Sequence, residues 1–303
     1  MAEAGRRTDR QLAYVSNHNA ASLSVIDLAA QRILTKIPVS QLPNAIAASA
    51  DRGRLYVPNG GDNSISVVST LANKVIHTIE GINLEPFGVI VSPYRQRLYA
   101  LSLFTGTVLV INSGTNKIIR NIPIGNGLTG GAVSPDGSRI YFTSQEKGIS
   151  VVDAATHHIV RTIPERDCWG VVFSPSGKRY YIINLAANRI SVYQTSTNRR
   201  IAKIPVGKGP LGLAVSQDGS RVYVTNSGSN SISVISASAN RVIHTIPVGD
   251  TPFLVALSPD NRKAYVTNSG SDTVSEVSLR INQVSKTIPA GPAPRGIVLV
   301  PVK

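Results

Sequence analysis

Acidic, aromatic and thiol groups crowd into one stretch, Glu165-Arg166-Asp167-Cys168-Trp169, which holds the chain's only cysteine and its only tryptophan. A carboxyl group set against an indole in an apolar pocket has its charged form disfavoured and its pKa raised. A general acid or base working near neutral pH needs that shift. Glu165 and Asp167 are candidates for the role, and Glu146 joins them from upstream beside Lys147. A solvated loop whose charges pair among themselves accounts equally well for Glu165, Arg166 and Asp167. Cys168 would serve as a nucleophile only with a base at hand, and no histidine is near it in sequence. The five histidines, among them the adjoining His157 and His158, never show the spacing of a metal set, so no metal is expected. No haem-attachment motif and no phosphate-cradling loop is present, and Gly125-Asn126-Gly127 reads as a turn. No cofactor is expected.

What positions these residues is a repeat. Tyr223-Val224-Thr225-Asn226 returns as Tyr265-Val266-Thr267-Asn268, and weaker copies start at Tyr14, Tyr56, Tyr99, Tyr141 and Tyr181. The steps between starts are 42, 43, 42, 40, 42 and 42 residues. An Ile-Pro pair keeps the same beat at Ile37, Ile122, Ile163, Ile204, Ile246 and Ile288, with Ile79-Glu80 standing in once. Within the unit from Pro210 to Gly249, four short segments rich in β-branched residues are separated by Gln217-Asp218-Gly219-Ser220, Ser227-Gly228-Ser229-Asn230 and Ala239-Asn240. Such stretches read as tight turns between strands. Nothing in the unit has a helical period.

Four-stranded units repeating at this length indicate the blades of a propeller. The expectation is therefore all-β: a seven-bladed β-propeller of four-stranded antiparallel blades, with strands A to D running outward from the axis. The chain starts in strand B and ends in a lone strand A, Gly296 to Val300. Pairing that strand with residues 11–38 closes the ring and leaves no inner edge exposed. Residues 1–10 read as a flexible tail and 11–303 as one domain.

The repeated Tyr-Val-Thr-Asn, Ser-Ile-Ser-Val-Ile, Ile-Pro-Val-Gly and Leu-Ala-Val-Ser-x-Asp-Gly segments resemble the YVTN family of β-propeller repeats, over residues of about 11 to 301. The resemblance implies a surface or secreted setting and relatives that include both ligand-binding propellers and enzymes, a range wide enough to leave the activity open.

Composition narrows this further. Of 303 residues 42% are hydrophobic and 16% charged, which suits a globular chain. No apolar run approaches the roughly 18–20 residues of a membrane helix. Met1 to Arg10 is polar and basic, so it reads as no intact signal peptide, leaving a cytoplasmic protein or an exported one without its leader. One cysteine allows no intramolecular disulfide. The net charge is +14. If D–A and B–C loops share one face, as in propellers of this type, 21 of the 31 basic residues fall on the opposite turn face and the outer edge. They would either keep exposed edges from pairing or dock a polyanion such as nucleic acid, cell-wall polymer or acidic lipid.

Binding residues are sought where copies disagree. The position before strand A reads Asn44, Phe87, Gly130, Trp169, Leu211, Phe253 and Arg295, an apolar funnel with one fixed cation at the central channel. On the loop face His18, Phe104, Lys147, Arg166 and Arg189 stand where the template has small residues or turns. The motif itself erodes at Tyr99, Tyr141 and Tyr181, in blades 3 to 5. Three functions follow: a binding or scaffold propeller for a small molecule, glycan or peptide; a cofactor-independent lyase, cyclase or hydrolase using the blade 3–5 sector; or a polyanion binder using the basic face. A closed ring needs no partner, so a monomer is expected.

Overall fold

In a computed structural model, which describes residues 10–82 and 85–302, the chain forms seven four-stranded antiparallel sheets around one axis. The seven-bladed propeller expected from the repeat is the fold. Blade 1 is built from both ends, Pro294–Pro301 as strand A beside Gln11–Asn17, Ser22–Asp27 and Arg32–Pro38. Gln11 pairs with Pro301 and Tyr14 with Val298, so the closure seam is itself a hydrogen-bonded ladder. Nearly all of the expected tail, residues 1–9, lies outside the described residues. Arg10 is tied in, accepting from Val302 N through its carbonyl at 2.8 Å and pairing with Asp27.

Each letter of the motif has its own task. The tyrosine is buried between sheets, and in blades 1, 2 and 4 its hydroxyl reaches the C–D turn of the following blade. Tyr14 donates to Asn73 Oδ1 at 2.6 Å, and Tyr141 to Asn198 Oδ1 at 3.1 Å. Burial pushes the Tyr14 phenol up to about 12, so it stays a donor at neutral pH. The third residue ties down the next blade's strand A: Ser16 donates to Asn44 O at 2.7 Å, Thr225 to Phe253 O at 2.7 Å and Thr267 to Arg295 O at 2.8 Å. In blades 1, 2, 6 and 7 the asparagine donates from Nδ2 to two strand C hydroxyls of its own blade, as Asn226 does to Ser231 and Ser233. The core therefore lies between blades. One cluster packs Tyr14, Val25 and Val298 of blade 1 against Leu55, Val57 and Val68 of blade 2. Each such aliphatic side chain contributes about 1.5–3 kcal/mol on burial.

The loop assignment also holds. B–C loops donate to D–A linkers, as in Ser227 N to Gly209 O at 2.8 Å and Leu185 N to Asp167 O at 2.9 Å. A–B and C–D turns join on the other face, as in Ala237 N to Ser220 O at 2.9 Å.

The outer strands hold a feature the repeat did not disclose. In strand D of blade 3, Ile118–Pro123, Arg120 pairs with Val110 and Ile118 with Ile111, so Ile119 is an extra, unpaired residue. The same bulge falls at Leu34, Ile76, Val160, Ile201, Ile243 and Ser285. A bulge bends the edge and spoils its ladder, which protects an outermost strand from pairing with another chain.

Candidate functional site

The site is built where strands A converge. Pairing aligns Pro43, Pro86, Leu128, Cys168, Pro210, Pro252 and Pro294 opposite the last residue of strand B. The funnel position is the residue after each. Blade 4 therefore supplies Thr129, not Gly130. Gly130 belongs one step further along the strand, in line with Gly88, Gly170, Gly212 and Gly296. The glycines there answer a steric demand: a Cβ on Gly212 would lie 2.6 Å from Phe253 O, and one on Gly130 would lie 3.2 Å from Trp169 O.

This small blade 4 strand lets its neighbours meet. The Phe87 and Trp169 rings, two blades apart, touch edge to face with centroids 5.8 Å apart at 76°. With Leu211, Leu213, Phe253 and Ile183 they line a cavity of about 200 Å³ on the axis. Leu101 and Ile183 take the place of the motif threonine in blades 3 and 5, so the erosion of the motif there makes the channel wall apolar. Thr129 donates to Cys168 O at 2.8 Å, holding the start of the Trp169 strand.

Between blades 1 and 7 the Arg295 guanidinium carbon stands 5.3 Å from the Phe253 ring centroid, a cation–π geometry. Burial lowers the pKa of Arg295, marking a partly desolvated cation. His18 stands near it. Its Nδ1 lies 3.1 Å from Pro43 O, which fixes the proton on Nδ1 and leaves Nε2 as a lone pair. Burial, and then the Arg295 charge, lower the His18 pKa against a smaller opposing effect of the Pro43 carbonyl. The imidazole is therefore neutral at pH 7.

The Glu165 stretch behaves differently from the acid–base expectation. Glu165 is buried and takes hydrogen bonds from Asn184 at 3.0 Å, from Arg200 at 2.6 Å and from Tyr193, with Arg189 3.6 Å away. Burial pushes its carboxyl up, but the bonds from Tyr193 and Arg200 and the charges of Arg200 and Arg189 outweigh that, and its pKa ends below the ordinary value. The expected raised pKa is thus corrected: both oxygens are occupied and the group is a fixed anion between blades 4 and 5. The repeat held the signal, because Glu165 fills the Ile-Pro-Val-Gly slot of the core residues Val206 and Val248. Cys168 is buried, and burial, followed by the Glu165 and Asp167 charges, raises its pKa to about 12, so it is a thiol and no nucleophile.

The remaining candidates stay on the loop face. Glu146, Lys147, Arg166 and Phe104 are exposed, and Asp167 is half-buried in a left-handed conformation with φ 55. The Lys147 stem lies over Gly125, where a Cβ would come within 2.5 Å of it. Arg189 belongs to the Glu165 network rather than to the channel. Phe87, Trp169 and Phe253 are brought together; Glu146, Asp167 and Phe104 are not among the residues that line the cavity. Glu276 escaped the sequence reading. It is a further buried carboxylate, in addition to Glu165 and Asp27, bonded by Tyr265 at 3.1 Å, Ser285 at 2.9 Å and Lys263 at 2.9 Å, in a strand C slot that is valine in blades 1 and 6. A cleft of about 290 Å³ beside it, at the blade 7–blade 1 seam, is lined by charges already paired: Arg10 with Asp27 and Lys263 with Glu276. No group of three or more metal-ligating side chains occurs among the described residues, and no described helix is long and apolar enough to cross a membrane.

Comparison with known proteins agrees on the architecture. A family model described as lactonase, 7-bladed beta-propeller, matches residues 170–290. The seven-bladed beta-propeller protein Rv1057 of Mycobacterium tuberculosis is 27% identical over 137 residues, which is 43% of this chain and 35% of that protein. The match thus spans about a third of the relative's length. Among solved structures, Kuenenia stuttgartiensis hydrazine synthase superposes with a TM-score of 0.80 at 21% identity, covering 88% of this chain and 91% of that one. A functionally unknown protein from Desulfotomaculum acetoxidans gives 0.81 at 17% identity, covering 96% and 99%. Likeness at that identity extends to the fold.

Proposed function

We propose that the protein is a binding propeller, of the YVTN type its repeats resemble, that takes a small amphipathic anion at the mouth of its central channel. An apolar body would fill the space between Phe87, Trp169, Leu211 and Phe253, and a carboxylate would face Arg295. The single observation carrying this reading is the partly desolvated guanidinium held against Phe253 at the rim of an apolar cavity. Inside such a site a charge-assisted bond is stronger than in water. At about 200 Å³ the cavity is below the 300–1,000 Å³ usual for drug-sized ligands. It therefore suits a short aliphatic or single-ring carboxylate rather than a glycan or a peptide.

Trp169 supplies its own assay, being the chain's only tryptophan and part of the cavity wall. Titration with benzoate should change its fluorescence saturably, while benzamide, of the same shape but uncharged, should bind at least ten-fold more weakly. Equal response to both, or none to either, overturns the reading.

A second reading is favoured by one pairing, neutral His18 beside Arg295, together with the partial match to a lactonase family model. Here the same mouth would hydrolyse a small lactone. His18 Nε2 would take a proton from water as the oxygen adds to the carbonyl carbon, with Arg295 facing the oxyanion; as the carbonyl re-forms and the ring C–O bond breaks, the imidazolium would return that proton to the departing ring oxygen. Hydrolysis of γ-butyrolactone or δ-gluconolactone that survives His18→Gln would remove it.

A further inference from the structure

The bulged outer strands put large apolar side chains into solvent, and the effect peaks in two neighbouring blades. Strand D of blade 3 exposes Ile118 at 40% and Ile119 at 48%, and strand D of blade 4 exposes Ile159 at 42% and Val160 at 52%. No other blade exposes two such residues in a row on this strand. Each pair is followed at once by an exposed arginine, Arg120 and Arg161.

Cations converge on the same seam. Arg120 Nη1 reaches across it to Thr156 O at 2.8 Å in the C–D turn of blade 4. Arg95 and Arg97, from the blade 3 A–B turn, approach closely enough that with Arg120 they depress the pKa of His157, after the larger effect of burial and against Asp153. Among the described residues Arg95, Arg97, Arg120 and Arg161 make no ion pair with a carboxylate. The acids nearby are engaged, Asp153 with Arg139 and Asp136 with Ser134 and Ser138. Beside them Tyr94 is exposed, its hydroxyl bonded to Pro135 O.

We propose that this rim sector, blades 3 and 4, docks on an anionic lipid surface. The guanidinium groups would meet headgroup phosphates while Ile119 and Val160 enter the interfacial layer beneath, the combination by which peripheral proteins hold to acidic membranes. Other occupants fit this surface less well. A strand added from a second chain would meet an edge whose ladder the bulge interrupts. A second copy would bring another net charge of +14 against this one. Single-stranded nucleic acid is gripped by successive aromatic platforms between the cations; the sector exposes one ring, Tyr94, tied by its hydroxyl to Pro135 O, and otherwise branched aliphatics. The surface is separate from the channel mouth and stands whether or not that site binds an anion.

The test is sedimentation of the full chain with vesicles of phosphatidylcholine, with and without phosphatidylglycerol. Binding should require phosphatidylglycerol and weaken as sodium chloride is raised. Each basic residue at an anionic surface is worth about five-fold, so Arg120→Glu with Arg161→Glu should cost more than about 25-fold. Ile119→Ser with Val160→Ser should cost several-fold and remove the binding that survives in high salt. Leu34→Ser with Ile201→Ser, on bulges of other blades, should change little; because these variants alter exposed side chains, circular dichroism should show all of them folded. Failure to bind phosphatidylglycerol vesicles overturns the proposal. So does an equal loss in the Leu34/Ile201 variant, which would make the apolar contribution a general property of the bulged edges and not of this sector.

Discussion

The Arg295 guanidinium carbon lies 5.3 Å from the centre of the Phe253 ring, and these residues belong to strand A of blades 1 and 7, neighbours around the ring. The backbone is fixed there too, because Thr267 donates to Arg295 O at 2.8 Å. The cation of the mouth is thus preorganised by its contacts with blade 7, and little ordering remains for a ligand to impose. Arg295→Ala should weaken benzoate by at least ten-fold and leave benzamide unchanged. Arg295→Lys should recover part of the loss, since a lysine keeps the charge without the planar fork. Titration of Trp169 fluorescence reads both.

Glu165 is held by Tyr193, Asn184, Arg200 and Arg189 in a slot that is apolar in sister blades. Glu165→Gln keeps the shape and removes the charge that Arg200 and Arg189 face. Removing one partner of a buried pair costs about 3–5 kcal/mol, and the two arginines, about a third exposed, bring the expected loss below that range, to about 2–3 kcal/mol. Urea denaturation near pH 7 measures it. Benzoate affinity should be unchanged, since the group lies outside the cavity wall.

The same residue predicts a pH dependence. Its folded pKa lies below the ordinary value, so the unfolded chain binds the proton more readily than the folded one. The stabilisation is complete above the unfolded carboxylate pKa of about 4.3 and is lost as pH falls through the folded value. Asp27, Asp136 and Asp218, the last brought down to about 2 by its serine and backbone partners, act in the same direction. Stability should therefore fall steeply below about pH 4. The gap between the wild type and Glu165→Gln should close over that range; a gap constant from pH 7 to 3 would show that charge is not what Glu165 contributes.

The repeat made the architecture legible, because the beat of Tyr-Val-Thr-Asn and Ile-Pro fixes strand number, register and closure together. It also pointed to Phe87, Trp169, Phe253 and Arg295, each an outlier at one position. It misplaced blade 4 by one residue, since Leu128 stands where most blades have proline and hides the alignment of Thr129. Glu165 was read as loop chemistry because neighbouring charges drew attention, whereas its slot number marked it as core. The bulges at Ile119 and Val160 were invisible, because one extra residue in an outer strand leaves the repeat length untouched.

Gly130 lies in strand A of blade 4, between the blades that carry Phe87 and Trp169, and a Cβ there would stand 3.1 Å from Gly170 Cα and 3.2 Å from Trp169 O. Both neighbours are backbone, so neither can rotate away. Gly130→Ala should cost about 1–3 kcal/mol as an overpacked site. It should also shift the Trp169 emission by moving the indole from Phe87. An unchanged spectrum with unchanged stability would mean that strand A of blade 4 has room the structure denies.

Asn198 accepts from two buried phenols, Tyr141 and Tyr180, each at 3.1 Å, from a left-handed turn position with φ 53. Asn240 holds the same place in blade 6 at φ 49, and its buried Oδ1 has no partner. Glycine accepts this backbone without strain, so replacement by glycine isolates the side chain's own contribution. Asn198→Gly leaves two buried hydroxyls unpaired and should cost about 2–4 kcal/mol, at roughly 1–2 for each lost bond. Asn240→Gly breaks no bond and should fall within about 0.5 kcal/mol of the wild type. Equal losses in urea denaturation would mean that the asparagine acts through turn geometry, and the phenol bridges between blades would then contribute nothing measurable.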